Sequence, residues 1–191
     1  MNICLYGASS NEIDKNYIES AEKVGELIAE RGHTLIFGGG ARGIMGGAAR
    51  GAHSRSGKIN GIAPSFFNVD GILFEHCTEL IYTETMRERK RLMEEMADAF
   101  IVMPGGVGTL EEFLEIFTLK QLARHSKPIA LFNQNGYYDD IIKLFSKAIR
   151  EKFMNEKCRE LCAFFTDIVE MLEYIEQYRG TLEDIMRMKN I

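Results

Sequence analysis

Two glycine-rich segments carry the clearest chemical signal in this sequence. They are Gly38-Gly39-Gly40-Ala41-Arg42-Gly43-Ile44-Met45-Gly46 and Pro104-Gly105-Gly106-Val107-Gly108-Thr109-Leu110-Glu111-Glu112. Glycine lets backbone N–H groups come close to a ligand, and each segment opens a predicted helix whose N-terminus favours negative charge. The same glycines also suit tight turns and close packing of a helix on a sheet. Two such loops, each after a predicted strand, favour a phosphorylated ligand over this purely structural role.

The same residues argue against two common types of phosphate site. Gly38, Gly40 and Gly43 match the G-x-G-x-x-G pattern, but they follow the second predicted strand rather than the first. The next predicted strand ends in Ile62-Ala63-Pro64, where a dinucleotide site would place an acidic residue. A Walker A loop requires Gly-Lys-Ser/Thr, which the sequence lacks. A nicotinamide dinucleotide site and a P-loop are therefore both disfavoured.

A basic segment, Arg87-Glu88-Arg89-Lys90-Arg91, opens the helix that precedes the second glycine loop. Cations near a helix N-terminus oppose the helix dipole, so local helix stability does not explain them. Arg89 can bind phosphate through two hydrogen bonds, whereas Lys90 acts as a point charge. The alternative is a solvated basic face, paired with Glu88, Glu94 and Glu95.

Glu112 has two possible roles. The spacing of Thr109 and Glu112 fits a capping box, in which Thr109 is the N-cap and Glu112 reaches back to it. A carboxylate in the first turn after a phosphate loop also lies near any sugar attached to that phosphate. Cleavage of an N-glycosidic bond develops positive charge on the ribose, which a carboxylate stabilises while it orients or deprotonates water.

The hydrophobic pattern alternates short β-like runs with longer amphipathic ones, which predicts repeated βα units. The predicted strands are Asn2–Gly7, Thr34–Phe37, Ile59–Ala63, Leu80–Thr83, Ala99–Met103 and Pro128–Phe132. The predicted helices are Asn16–Arg31, Gly43–Ser56, Thr85–Met96, Thr109–Ala123, Tyr138–Lys152 and Asp167–Tyr178. We expect one α/β domain over 1–191, a three-layer, Rossmann-like, doubly wound and mainly parallel sheet, with 181–191 as a peripheral helical tail. Residues 65–78 show no clear pattern.

Composition excludes several classes of function. The net charge of −5 gives no reason to expect nucleic acid or a membrane as partner. No run approaches the ~18 apolar residues of a membrane span, and the N-terminus lacks a signal peptide pattern, which favours a cytoplasmic protein. The four cysteines and four histidines have no ligand or disulfide spacing, so we expect neither a metal nor a cofactor.

Two motifs at their expected separation, Met86-Arg87-Glu88-Arg89-Lys90 and Pro104–Glu112, resemble the RK and PGGxGTxxE motifs of the LONELY GUY family. These enzymes are cytokinin riboside 5′-monophosphate phosphoribohydrolases, which older usage calls possible lysine decarboxylases. The similarity runs from Asn2 to about Leu172, and it includes Lys127-Pro128 and Gly136-Tyr137-Tyr138. No lysine stands out as a Schiff-base residue, so the decarboxylase label gains no support from the sequence.

The resemblance implies hydrolysis of a nucleoside 5′-monophosphate, such as AMP or N6-prenyl-AMP, to free base and ribose 5-phosphate. It implies catalytic roles for Arg89 and Glu112, and a homodimer or a larger homo-oligomer. The predicted substrate-binding residues are Ser9, Gly39, Gly40, Met86, Lys90, Gly105, Gly106, Val107, Gly108, Thr109, Leu110, Glu111 and Thr118. Two alternatives stay open: a non-catalytic carrier of a nucleotide or molybdenum cofactor on the same fold, and a general nucleotide 5′-monophosphate nucleosidase in salvage.

Overall fold

A computed structural model describes residues 1–188 and shows a single seven-stranded sheet. The strands are β1 Asn2–Tyr6, β2 Thr34–Phe37, β3 Lys58–Pro64, β4 Glu79–Thr83, β5 Ala99–Val102, β6 Ile129–Phe132 and β7 Ala163–Phe165. Their order across the sheet is β4-β3-β2-β1-β5-β6-β7, and every neighbouring pair is parallel. After β4 the chain crosses back to β5 beside β1, so the direction in which strands are added reverses between β1 and β5. In a sheet of this kind, ligands bind outside the carboxyl ends of the strands at this switch point.

Helices cover both faces of the sheet, which gives three layers. They are α1 Lys15–Glu30, α2 Gly43–Ser54, α3 Met86–Met96, α4 Val107–Gln121, α5 Asp139–Arg150, α6 Ile168–Gln177 and α7 Leu182–Met188. One core cluster packs α1, α2 and α6 on the sheet, and the other packs α3, α4 and α7 on the opposite face. The strand β5 is buried at every position because helices lie on both of its sides. The predicted α/β, doubly wound fold is confirmed.

The close packing of α1 on α2 explains why α2 is so rich in small residues. A Cβ added at Gly25 of α1 would meet the backbone of Ala48, and one at Gly51 of α2 would meet the backbone of Glu22. Glycine at these positions therefore lets the two helices approach closely, whereas a larger side chain would separate them. This contact fixes the N-terminus of α2, which directly follows the first glycine loop.

Three features of the fold differ from the prediction. The strand β7 was not predicted, because its three residues are too few to show a period. The helix α4 begins at Val107 rather than at Thr109. Of the tail predicted at 181–191, α7 places Ile185 in a core cluster with 1% of its surface exposed, and residues 189–191 lie outside the described part. None of the helices within residues 1–188 has the length and hydropathy of a membrane span.

Candidate active site

A crevice of about 560 Å³ lies at the carboxyl ends of β1, β2 and β5, as the sheet order requires. Its walls come from the loops after β1, β2 and β5, the connection between β3 and β4, and the first turns of α3 and α4. The lining residues are Gly7, Ala8, Ser9, Ser10, Gly38, Gly40, Arg42, Met45, Phe67, Ile72, Leu73, Met86, Arg89, Gly106, Gly108, Thr109 and Glu112. Both predicted catalytic residues are thus in the crevice.

Arg89 and Glu112 form a buried ion pair in its wall. Arg89 Nη1 donates to Glu112 Oε1 at 2.8 Å, and Arg89 Nε donates to the carbonyl of Ile62 at 3.1 Å. Arg89 is 5% exposed and its guanidinium lies against Gly38, where a Cβ would displace it. Arg89 is therefore not part of a solvated basic face, and the glycine at position 38 provides the space that its side chain occupies.

The electrostatic balance at Glu112 has two opposed contributions. Burial raises the pKa of this carboxyl above its usual value of 4.5, while the charge and hydrogen bond of Arg89 lower it. Burial is the larger effect, so the pKa is raised overall. Glu112 is thus a largely buried carboxylate with one fixed cationic partner, suited to act on charge that develops in the crevice.

The capping box predicted for Thr109 and Glu112 is wrong. The N-cap of α4 is Gly106, which has no side chain to cap the helix. Thr109 therefore lies inside the helix, and Glu112 makes no capping hydrogen bond. The capping box belongs instead to α3, where Thr85 accepts from the N–H of Glu88 and Glu88 accepts from that of Thr85. This box fixes the first turn of α3 and so positions Arg89 one residue further along.

In the loop after β5, Pro104–Gly108 (the β5 loop), and the residue that follows it, several backbone amides have no partner in the described chain, and Gly106, Gly108 and Thr109 line the crevice. Within residues 1–188, the N–H groups of Gly105 to Thr109 have no hydrogen-bond acceptor. Leu110 is the first residue whose N–H has a helical partner, the carbonyl of Gly106 at 3.1 Å. Unpartnered amides at a helix N-terminus form an anion site.

Two other predicted glycines, Gly39 and Gly105, determine the backbone conformation and packing of the loops. Gly39 has φ of +78°, a left-handed conformation that favours glycine, and Gly105 packs so closely on Thr109 that a Cβ would overlap its side chain. Neither residue lines the crevice. Their neighbours Gly40 and Gly106 do line it, so each predicted glycine loop reaches the crevice through some of its residues and not through others.

The other predicted binding residues lie on the outward face of α4. This face, which we call the α4 face, consists of Val107, Leu110, Glu111, Leu114, Glu115, Thr118 and Leu119. Val107 is 83% exposed and Leu114 is 44% exposed. Lys90 contacts the same face, with Nζ at 2.8 Å from Glu115 and in a second ion pair with Glu111. Within one chain, the predicted binding residues therefore fall on two separate surfaces.

Several lining residues were not predicted as site residues. Met45, Phe67, Ile72, Leu73 and Met86 give the crevice an apolar wall, and of these only Met86 was predicted. Phe67, Ile72 and Leu73 belong to the region that shows no sequence pattern. A backbone contact, from the N–H of Phe74 to the carbonyl of Gly39 at 2.8 Å, places that region over the first glycine loop. Such a tertiary contact leaves no periodic signal.

Sequence comparisons identify the relatives of this chain. The family model described as possible lysine decarboxylase matches residues 45–175. The cytokinin riboside 5′-monophosphate phosphoribohydrolase LOG2 of Arabidopsis thaliana is 35% identical over 184 residues, which cover 96% of this chain and 86% of the relative. The enzyme named LOG in Oryza sativa subsp. japonica is 35% identical over 176 residues, covering 92% and 73%.

Solved structures support the fold. The molybdenum cofactor carrier protein of Chlamydomonas reinhardtii has a TM-score of 0.69 at 21% identity, covering 92% of this chain and 95% of its own. The molybdenum cofactor binding protein of Rippkaea orientalis has a TM-score of 0.67 at 21% identity, covering 92% and 93%. At 21% identity this similarity shows a common fold only. The family is shown by the relatives that are 35% identical in sequence. The chain therefore belongs to the family of cytokinin riboside 5′-monophosphate phosphoribohydrolases, the LONELY GUY family that its motifs predicted.

Proposed function

We propose that this protein hydrolyses the N-glycosidic bond of a nucleoside 5′-monophosphate, AMP or N6-prenyl-AMP, to free base and ribose 5-phosphate. The observation that carries the proposal is the buried pair of Arg89 and Glu112, which lies in the same crevice as the unpartnered amides of the β5 loop. An anion site and a buried carboxylate on one helix suit a substrate that carries phosphate and sugar together. The Arabidopsis and rice relatives carry the same activity in their names.

The 5′-phosphate binds the amides of Gly106, Gly108 and Thr109, which line the crevice. These groups lie at the N-terminus of α4, where the helix dipole adds to their attraction for an anion. The hydroxyl of Thr109 lines the crevice beside them. Because Glu112 lies one turn further along α4, a phosphate held at the start of the helix brings its ribose towards this carboxylate.

The reaction breaks the C1′–N bond, adds the hydroxyl of a water to C1′ and returns the proton of that water to the base. Glu112 stabilises the positive charge that develops on the ribose and accepts a proton from the attacking water. Arg89 holds the carboxylate in place and opposes its protonation through the 2.8 Å contact. Both residues line the crevice, so these steps use groups that already face the ligand.

The apolar wall supports a purine base with an apolar substituent. The faces of a purine ring and a prenyl group both gain from contact with Met45, Phe67 and Met86. A general nucleotide nucleosidase would act with the same phosphate and carboxylate machinery. Comparison of AMP, N6-prenyl-AMP and pyrimidine monophosphates separates the two possibilities.

A non-catalytic carrier of a nucleotide or molybdenum cofactor is the weaker alternative. The structural likeness to molybdenum cofactor carriers is at 20–21% identity and concerns the fold. A carrier would bind its ligand through the unpartnered amides of the β5 loop and would have no use for a buried carboxylate such as Glu112. Retained binding with no release of free base from any monophosphate would favour the carrier.

A homodimer completes the proposal. The α4 face holds Val107, Leu110 and Thr118, which the family resemblance implies as substrate contacts, yet these residues lie outside the crevice of their own chain. An apolar face that joins a second copy would bring them next to a crevice. The mild net charge of −5 and the amide-based anion site support a small nucleotide rather than a nucleic acid as ligand.

The experiment compares Glu112→Gln and Arg89→Ala with wild type, using release of free base from AMP and N6-prenyl-AMP by chromatography. We expect Glu112→Gln to lower kcat by about a hundredfold or more while AMP still binds. Arg89→Ala should impair both binding and turnover, because it leaves a buried carboxylate unpaired. Arg91→Ala and Glu95→Gln, exposed on the same helix α3, are the matched controls and should behave as wild type. Full turnover by Glu112→Gln would reject the assigned role.

A further inference from the structure

Two tyrosines that follow β6 contact the β5 loop from outside the crevice lining. Tyr137 Oη donates to the carbonyl of Gly105 at 2.7 Å, and Tyr138 Oη donates to the carbonyl of Met103 at 2.6 Å. Between these two acceptors, the carbonyl of Pro104 accepts from the N–H of Ala8 at 3.2 Å. The carbonyls of Met103, Pro104 and Gly105 thus all accept a hydrogen bond, while the N–H groups of Gly105 and Gly106 have no partner within residues 1–188.

The geometry of the peptide group connects these two observations. In a trans peptide, the C=O of one residue and the N–H of the next point in opposite directions. The described chain contains no cis peptide, and Gly106 lines the crevice. A hydrogen bond that turns the Gly105 carbonyl towards Tyr137 therefore turns the N–H of Gly106 towards the ligand.

Glycine on both sides of this peptide makes an external restraint necessary. Gly105 and Gly106 have no Cβ to limit rotation of the peptide that joins them, so their own conformational preferences do not fix its direction. The Tyr137 hydroxyl supplies that restraint. From this geometry we infer that Tyr137 is a positioning residue for phosphate binding, which acts through the Gly106 amide and rests on the function proposed above.

The position of the Tyr137 hydroxyl is itself well determined. Asn135 and Gly136 have φ of 54° and 74°, which turn the chain sharply after β6. The side chain of Asn133 then accepts from the N–H of Tyr138 at 2.7 Å. The Tyr137 ring packs edge-on against Tyr17 and Tyr138, with centroids 6.2 and 5.2 Å away.

The hydrogen bond from Tyr138 to the Met103 carbonyl does not orient an amide. The peptide after Met103 belongs to Pro104, which has no N–H to direct. The Tyr138 hydroxyl therefore satisfies a buried carbonyl without orienting any amide. This difference predicts that loss of the Tyr138 hydroxyl affects stability, whereas loss of the Tyr137 hydroxyl affects affinity for phosphate.

The test uses Tyr137→Phe, Tyr138→Phe and Tyr17→Phe, each of which removes one hydroxyl from the same aromatic cluster. Kinetics with AMP give KM and kcat, calorimetry gives Kd for ribose 5-phosphate, and thermal unfolding checks the fold. For Tyr137→Phe we expect KM and Kd to rise about three- to tenfold, with kcat changed less than about twofold. The reason is that phosphate binding would weaken by about the free energy of one hydrogen bond, and equally in the ground state and the transition state. Tyr17→Phe should match wild type, and Tyr138→Phe should lower the unfolding temperature with Kd unchanged.

The inference is overturned if Tyr137→Phe leaves KM and Kd unchanged, or if Tyr17→Phe or Tyr138→Phe raises Kd by the same factor. A merely structural role for Tyr137 would lower kcat and the unfolding temperature without a selective change in Kd. Ribose 5-phosphate binding by wild type without turnover of AMP would reject the proposed function, while the Kd series still tests Tyr137. Absence of any ribose 5-phosphate binding by wild type would overturn both.

Discussion

Arg89 and Glu112 lie on different helices, and each makes the burial of the other possible. Arg89 also donates to the Ile62 carbonyl, so its guanidinium stays in place when a substrate competes for Glu112. Without a cationic partner, the pKa of a carboxyl at this depth would be raised further, because desolvation disfavours the charged form. Arg89 favours the ionised form of a buried carboxylate in the crevice wall, which is the form that stabilises a developing positive charge on ribose.

The raised pKa of Glu112 predicts the acidic limit of activity. The carboxylate is the active form, so kcat should fall as the pH decreases through the pKa of Glu112. Since burial raises this pKa, the fall should be centred above the ordinary value of 4.5. A pH profile of kcat with AMP measures it, with circular dichroism at each pH to exclude unfolding. A midpoint at or below 4.5 would mean that the charge of Arg89 outweighs burial at this carboxyl.

Residue identity alone predicted part of this site. The types and spacing of Arg89, Glu112 and the β5 loop glycines predicted a phosphate site with a carboxylate beside it. The choice between capping and catalysis for Glu112 could not be made from sequence, because it depends on where α4 begins. A threonine followed three residues later by glutamate occurs at both 85–88 and 109–112, and only the first segment lies at a helix start.

At the level of helices and strands, long periodic segments were predicted well and short ones were not. The helices α1 and α3 differ from the prediction by one or two residues, since their apolar and polar faces are distinct. The connection between β3 and β4 has no period, yet it provides Phe67 and Ile72 to the crevice wall. Its position is set by backbone contacts with the first glycine loop, which are properties of the folded chain.

Lys120 on α4, beside Tyr178 at the end of α6, is a buried cation that the mechanism does not use. Lys120 is completely buried, its Nζ lies 4.6 Å from the centroid of the Tyr178 ring, and no hydrogen-bond partner for it exists within residues 1–188. Burial lowers its pKa from 10.5 to about 8. At neutral pH the amine is therefore charged in both the folded and the unfolded state, and the folded protein bears the full cost of desolvating it.

Lys120→Met should consequently stabilise the protein. We expect the free energy of unfolding at neutral pH to increase by at most about 3 kcal/mol, partly offset by the lost contact with Tyr178. The gain should shrink as the pH rises from about 8 to 10.5, because the amine then becomes neutral in both states. Urea unfolding at several pH values measures this, and Lys147→Met, at an exposed position on α5, is the control. A destabilised Lys120→Met protein would show that the cation has a stabilising role.

Across the whole molecule, the switch between β1 and β5 brings the site together. It places the loops after β1, β2 and β5 at one edge, although their residues are separated by up to a hundred positions in the chain. The binding edge was predictable for this class of fold, because ligands bind at the carboxyl ends of the strands in an open parallel sheet. The α4 face is different, because nothing in the described part of a single chain covers its apolar residues.

Leu114→Asp tests whether a second copy covers this face. We expect wild type to have twice the 21.7 kDa mass of one chain by light scattering, and Leu114→Asp to weaken the dimer about a hundredfold or more, because the carboxylate would be buried unpaired. Leu144→Asp, at a 57% exposed position on α5, should remain dimeric. Turnover of Leu114→Asp should fall with the dimer fraction and recover as protein concentration rises, since Val107, Leu110 and Thr118 then return to a crevice. A monomeric wild type with full activity would show that one chain forms the complete site, and the predicted roles of those residues would then have to be abandoned.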